Sequence, residues 1–267
     1  MNISSLIPIE YPTDKPRKVY LCDDSPEGIL SAVYDAWTSR YGHSHNFIQI
    51  AGEYNYSFFC EYVRVETDIK KAYNIADAIK RKISSDFYHL ITVCLASYDR
   101  SRADDIYRLI ILGFHVGASA RYNLSLQFVQ RINKIERNVS NERHHYMGFI
   151  RFEELEDNTL FARFRPKNNI LPLITGHFAD RYPNEKIIIA DVNRKSVACI
   201  NRSNIGYYKL SDEDFESLRP DTSQEEKTLQ DLWKCFVDSI EIKERRNTSL
   251  QRNNMPLRFR EFTPEFH

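Results

Sequence analysis

The chain has 267 residues, 42% of them apolar and 28% charged, a balance that supports a packed core in one or two domains and argues against disorder. Its 37 basic and 37 acidic side chains cancel, so attraction to nucleic acid or membrane must come from a local patch rather than a global field. No run approaches the roughly 18 to 20 apolar residues that a membrane-spanning helix needs. The first residues lack a basic stretch followed by an apolar one, so no signal peptide is expected. The five cysteines are odd in number, widely spaced and without a CxxC pair. They point to no zinc site and no disulfide framework, and a reducing cytoplasm is the expected compartment.

The first predicted element is a short strand at 19–21. It runs into Asp23-Asp24-Ser25-Pro26-Glu27, a helix start in which Ser25 caps, Pro26 fits the first helical position and Glu27 favours the positive dipole end. Leu30, Val33, Trp37 and Tyr41 then recur at helical spacing, which predicts a helix over 26–41. Weak alternation over 58–65 predicts a strand. Helices follow from Thr67 and across 86–97, 102–119 and 124–138. Residues 1–140 thus read as a mainly helical region, a bundle resting on a small strand element.

From about residue 147 the pattern changes. Apolar runs at 149–152 and 160–164 flank Glu156-Asp157-Asn158, and runs at 187–189 and 197–200 flank Asn193-Arg194, two hairpin signatures. A helix over 170–182 lies between them and another covers 224–243. Strand, strand, helix, strand, strand predicts a small antiparallel sheet with a helix on one face, within a region 141–267 that ends in a basic tail. The expected fold class is α+β.

The glycine-rich nucleotide loops GxGxxG and GxxxxGK[ST] are absent, as are HExxH and GxSxG, and only eight glycines exist to build a phosphate cradle. No cofactor and no metal set is expected. Arg143-His144-His145 precedes the first predicted strand of the second region. Adjacent histidines point to different sides, which disfavours a shared metal, so the segment reads either as polar surface or as a contact for substrate or nucleic acid. Asp23/Asp24 and Glu153/Glu154 are better explained by a helix N-terminus and a turn than by acid–base work. His177, Asp180 and Arg181 fall within one helical turn and share a face. His144, His145 or His177 beside Asp180 or Asp191 supply acid–base candidates for an enzyme reading, against a purely structural use of His177.

The strongest polar signal is a charge asymmetry. Residues 211–231 hold eight acidic and two basic side chains, whereas 243–260 hold six basic and one acidic. Five of those six are arginines (Arg245, Arg246, Arg252, Arg258, Arg260), the side chain suited to bidentate phosphate contact. Asn247, Asn253, Asn254, Gln251 and Phe259 are interleaved, a mixture that suits phosphate gripping with base contact or stacking. Two readings stand: a nucleic-acid-binding surface formed with Arg143, or a tail folded back on the acidic segment.

Three stretches together resemble a bacterial family of unassigned biochemistry linked to DNA metabolism. They are Tyr20-Leu21-Cys22-Asp23 through Ala36-Trp37, Glu142-Arg143-His144-His145-Tyr146-Met147-Gly148-Phe149-Ile150-Arg151-Phe152, and the tail from Arg246-Asn247 to Met255-Pro256-Leu257-Arg258-Phe259-Arg260. Pro166, the segment from His177 to Pro183, and Asp191 also fit the pattern. The resemblance implies a setting in DNA repair or modification beside a radical-SAM protein, since relatives occur next to one and some carry a uracil-DNA glycosylase domain. It implies no established reaction. Three functions are therefore expected to compete: a DNA-binding accessory protein, an enzyme on DNA or nucleotide using the His and Asp candidates, and a protein-binding adaptor that docks through the acidic segment or exposed aromatics.

Overall fold

In the computed structural model, which describes residues 15–52, 57–202, 204–218 and 222–266, the chain divides into two compact units, Met1–Ser140 and Asn141–His267. The residues read above for a signal peptide lie largely outside the described ones, as do Arg219 and Asp221 of the acidic segment. Both units mix helix and strand, with helices abundant in the first and the larger sheet in the second, so the fold class is α+β. Among the described residues no helix is long and apolar enough to cross a membrane.

The first unit is organised by β1 (Arg17–Cys22), whose last four residues are all buried. Such a continuous run marks a central strand covered on both faces. It pairs in parallel with β2 (Asn46–Ile50) on one side and β3 (Cys60–Arg64) on the other. Between β1 and β2 the chain returns through α1 (Pro26–Thr38), which begins as expected: Ser25 Oγ accepts from the Gly28 amide at 3.0 Å and Pro26 takes the first position. Then come α2 (Ile69–Lys82), α3 (Ser85–Leu95) and α4 (Arg102–Val116). α4 is buried almost all round, from Ile106 through Gly113, as a helix at the centre of a bundle must be.

Most charged side chains buried in this unit are paired, although the Tyr20 hydroxyl, Asn46 Oδ1 and Arg121 Nε are enclosed without a hydrogen-bond partner among the described residues. Asp105 is 2% exposed and accepts two hydrogen bonds from Arg131, at 2.5 and 2.8 Å. Burial still raises its carboxyl above the usual range, with Arg131 opposing. Asp104 accepts from Arg108 at 2.7 Å and, through its other oxygen, from the Ile48 amide at 3.1 Å. The second bond covers part of the outer edge of β2, an edge that would otherwise invite another strand. Arg102 forms an ion pair with Asp24 that ties the start of α4 to the β1–α1 turn.

The cysteines divide by burial. Burial, followed by the Asp23 carboxylate, pushes the Cys22 thiol up to about 12, and burial likewise raises Cys94. Cys235 is exposed. At about pH 8, where reaction needs thiolate, iodoacetamide is expected to label Cys235 and spare Cys22 and Cys94 until denaturant is added. Peptide mass spectrometry reads this, and labelling of Cys22 as fast as Cys235 would contradict the packing around β1.

α5 (Gln127–Phe149) runs across the boundary at 140. Here the sequence expectation needs correcting, because 149–152 does not form a strand. Ile132, Ile135, Val139, Glu142 and Tyr146 are all buried and recur at alternating spacings of three and four, so the helix continues with a carboxylate standing in its apolar stripe.

The second unit carries a five-stranded sheet, β4 (Glu153–Glu154), β5 (Thr159–Phe164), β6 (Lys186–Asp191), β7 (Ser196–Asn201) and β8 (Asn204–Lys209), in spatial order β4-β5-β6-β7-β8. The expected order of strand, strand, helix, strand, strand is present, and β8 extends it. One pairing departs from an all-antiparallel sheet: β5 and β6 are parallel, with Phe161 opposite Ile188. The reason is the connection, since α6 (Leu171–Arg181) carries the chain back over the sheet, and a crossover helix returns it in the same direction. The hairpin turns fall where expected, with Asn158 at φ 58° and Lys195 at φ 50°. On one sheet face Phe161, Ala190 and Val197 pack with Leu155 and with Phe215 of α7 (Asp212–Ser217). The last described residues form α8 (Gln224–Ile240), α9 (Thr248–Asn254) and three single 3₁₀ turns at Lys243–Arg245, Leu257–Phe259 and Pro264–Phe266.

Candidate nucleic-acid interface

The tail is anchored by Phe259, 4% exposed. Its ring sits edge-on to Tyr146 at 4.8 Å and lies 5.5 Å from Phe149 and 5.2 Å from His145. Two of the three stretches that carry the family resemblance, the end of α5 and the arginine-rich tail, therefore meet in one aromatic cluster. Two carboxylates that follow the arginines, Glu261 and Glu265, add polar anchors. Glu261 accepts from Arg165 through both oxygens, at 2.8 Å each for the closest bonds, and Glu265 accepts from Arg151 at 2.9 Å.

The expected arginines separate into two groups. Arg260 donates to the Met255 and Gln251 carbonyls at 3.0 and 3.1 Å, closing the exposed end of α9, and lies over the Phe266 ring. Arg258 lies over Phe259 with Nη1 3.7 Å from Glu142. Glu142, 2% exposed, accepts from the Lys167 and Asn168 amides at 3.0 and 2.8 Å and from Asn168 Nδ2 at 2.6 Å. Both arginines serve the tail's own packing. Asn247 is likewise a cap, its Oδ1 accepting from the Leu250 amide at 2.9 Å.

Arg245, Arg246 and Arg252 are exposed. Arg246 makes an ion pair with Glu241 at 3.2 Å, and the side chains of Arg245 and Arg252 have no partner among the described residues. Glu241 and Glu142, which Arg246 and Arg258 meet, both lie outside the acidic 211–231 segment, and Asp212 of that segment pairs with Lys195 at 2.6 Å. Arg143 is half-buried, its Nε enclosed without a partner among the described residues, and His144 beside it is exposed.

The acid–base candidates are scattered. His145 stacks on Phe149 at 5.5 Å, and its pKa is lowered by burial and by the neighbouring His144 and Arg258 charges. His177 stands edge-on to Phe178 at the end of α6, and Asp180 is exposed. Asp191 is fully buried and belongs to the β6–β7 turn, accepting from the Asn193 and Arg194 amides at 2.9 and 3.2 Å and from Arg194 Nη1 at 3.1 Å. Burial raises its pKa despite these bonds. Among the described residues no hydrogen bond or ion pair joins any two of these His and Asp candidates.

Two features escaped sequence reasoning. Arg163 on β5 and Arg165, just past its end, line a cleft of about 140 Å³ with Phe215, Glu216 and Phe262. The second is the exposure of α8, a helix its spacing does predict: none of its residues is buried, and Leu229, Leu232, Trp233, Phe236 and Ile240 remain exposed on its apolar side. Spacing reveals such a stripe but not whether anything covers it.

An α+β chain with a docked, arginine-bearing tail is what the coordinates define. Residues 100–265, more than half of the chain, match the family described as a domain of unknown function, DUF4130, and the chain belongs to that family. The match takes in every arginine, histidine and carboxylate discussed in this section. No curated protein matches the chain.

Proposed function

We propose that this protein binds DNA as an accessory to its repair or modification, gripping backbone phosphates through Arg143, Arg245, Arg246 and Arg252 and presenting the strand to a radical-SAM enzyme. The observation that carries the reading is the exposure of Arg245 and Arg252 with no carboxylate partner among the described residues. An arginine already paired must give up that pair to meet a phosphate, whereas these two lose only water and loosely held counterions. Because the net charge is zero, the contact is local and short in reach. The repair setting and the radical-SAM partner are supported by the family resemblance alone.

Four neutralised phosphates on duplex correspond to a log–log slope of about −3.6 in salt, or roughly a hundredfold loss of affinity between about 50 and 200 mM. Anisotropy titration of a labelled duplex at these two concentrations tests the reading. Absence of binding at the lower salt, or binding indifferent to salt, removes it.

One observation favours a second reading, a protein-binding adaptor. The exposed stripe of α8 has the spacing of a helix that lies in a partner's groove. Capture of a radical-SAM protein from host lysate should then survive nuclease and fail when Trp233 and Phe236 are both replaced by serine. Capture abolished by nuclease instead returns the case to DNA.

A further inference from the structure

The first unit holds a cleft of about 430 Å³, a size ordinary for small-molecule sites, between α1, α2 and the end of α4. Its wall is aromatic. Trp37 and Phe114 meet edge-on with ring centroids 5.1 Å apart, and Tyr34 continues the surface. Trp37 is 37% exposed although both neighbouring aromatics are in place, so part of the indole is left for a further ring. Lys82 and His115 line the same cleft together with Asn74, and no carboxylate does.

The carboxylates on the adjoining helices are occupied elsewhere. Asp35 of α1 pairs with Lys71 at 2.7 Å, and Asp77 of α2 pairs with Arg81. Lys82 and His115 have no ion-pair partner among the described residues. The ends of α2 and α4 add partial negative charge near Lys82 and His115, an effect that is screened by salt and falls off within the last turn. His43, which packs on Trp37 at 5.2 Å, has its pKa lowered by burial and then by the charges of His115 and Arg108, consistent with an electropositive setting.

We infer that this cleft binds a planar aromatic anion, its ring against Trp37 and Phe114 and its anionic group at Lys82 and His115. Two chemical sources fit, a nucleoside monophosphate and an aromatic carboxylate. The inference is independent of the nucleic-acid reading, since none of its residues belongs to the proposed phosphate-gripping set.

The chain has two tryptophans, so a Trp233→Phe background leaves Trp37 as the sole reporter under selective excitation. Adenosine 5′-monophosphate and phenylacetate are titrated, with adenosine as the neutral control. At least one anion is expected to quench Trp37 saturably below about 10 mM, with adenosine at least about tenfold weaker than the monophosphate if that is the binder. Lys82→Gln and His115→Gln should each weaken the bound anion by about tenfold, as removal of a charge-assisted hydrogen bond does. Quenching by the monophosphate alone assigns the nucleotide source, and by phenylacetate alone the carboxylate source. No saturable quenching by either anion overturns the inference. So does adenosine binding as tightly as its monophosphate when phenylacetate fails, or an affinity unmoved by both substitutions. Lys82 is exposed, so the thermal melt of Lys82→Gln should match that of the parent and exclude misfolding as the cause.

Discussion

Replacing Arg143, Arg245, Arg246 and Arg252 together by glutamine is expected to abolish most DNA affinity at low salt and to flatten its salt dependence. Removing one arginine–phosphate pair should bring the log–log slope about 0.9 closer to zero on duplex, so a protein relying on all four is left with almost no slope. The loss must be uniform across sequences, because phosphate contacts position a duplex without reading it. The three tail substitutions should barely change stability, whereas the half-buried Arg143 calls for a thermal melt of Arg143→Gln by itself. Arg245 and Arg252 have no partner among the described residues, and the exposed Arg246–Glu241 pair stabilises by at most about 1 kcal/mol. Arg258→Gln makes the informative contrast. That arginine faces Glu142 and Phe259, so its loss should weaken the tail's packing more than it changes the salt slope. If the fourfold variant binds DNA like the parent while Arg258→Gln does not, the two groups of arginines have been assigned the wrong way round.

Phe259→Ala should produce the largest stability change in the second unit. Truncating a buried phenylalanine costs about 3 to 5 kcal/mol, because the transfer free energy is lost and a cavity remains. Here the ring fills the space between Tyr146, Phe149 and His145, and all three are fixed on α5, so collapse into the gap is limited. A melting temperature lower by on the order of 10 °C or more is expected. Hydrogen exchange should show amides of 255–266 opening first, since mainly ion pairs (Glu261–Arg165, Glu265–Arg151 and Arg258–Glu142) would then hold the tail. Phe259→Leu keeps most of the apolar volume and should cost markedly less. A melt unchanged by the alanine substitution would mean that the tail does not dock on α5.

Much of the architecture was legible because local signals agreed with it. Ser25-Pro26 starts α1 where capping chemistry places it, and Asn158 and Lys195 occupy left-handed positions in the two hairpin turns. The misses have particular causes. β2 was overlooked because its buried positions are Asn46, Ile48 and Ile50, and an inward asparagine disguises the alternation. Asn46 is nevertheless provided for, its Nδ2 donating to the Ala36 carbonyl at 2.8 Å. β8 shows almost no burial and so carries no apolar period to detect. α5 was cut short because Glu142 interrupts its apolar stripe, and only tertiary contacts with Lys167 and Asn168 explain a carboxylate there. In the tail, arginines of one type and similar spacing divide into inward and outward groups. That division depends on where Glu142 and the carbonyl end of α9 lie, which composition does not encode.

The claim that Arg143, Arg245, Arg246 and Arg252 form the contact surface is tested most directly by photocrosslinking the intact protein to bromodeoxyuridine-substituted DNA and mapping the linked peptides by mass spectrometry. Crosslinks concentrated at the end of α5 around Arg143 and across 241–254, weakening in step as salt rises, are the predicted result. Crosslinks confined to other segments, or none at low salt, would contradict it.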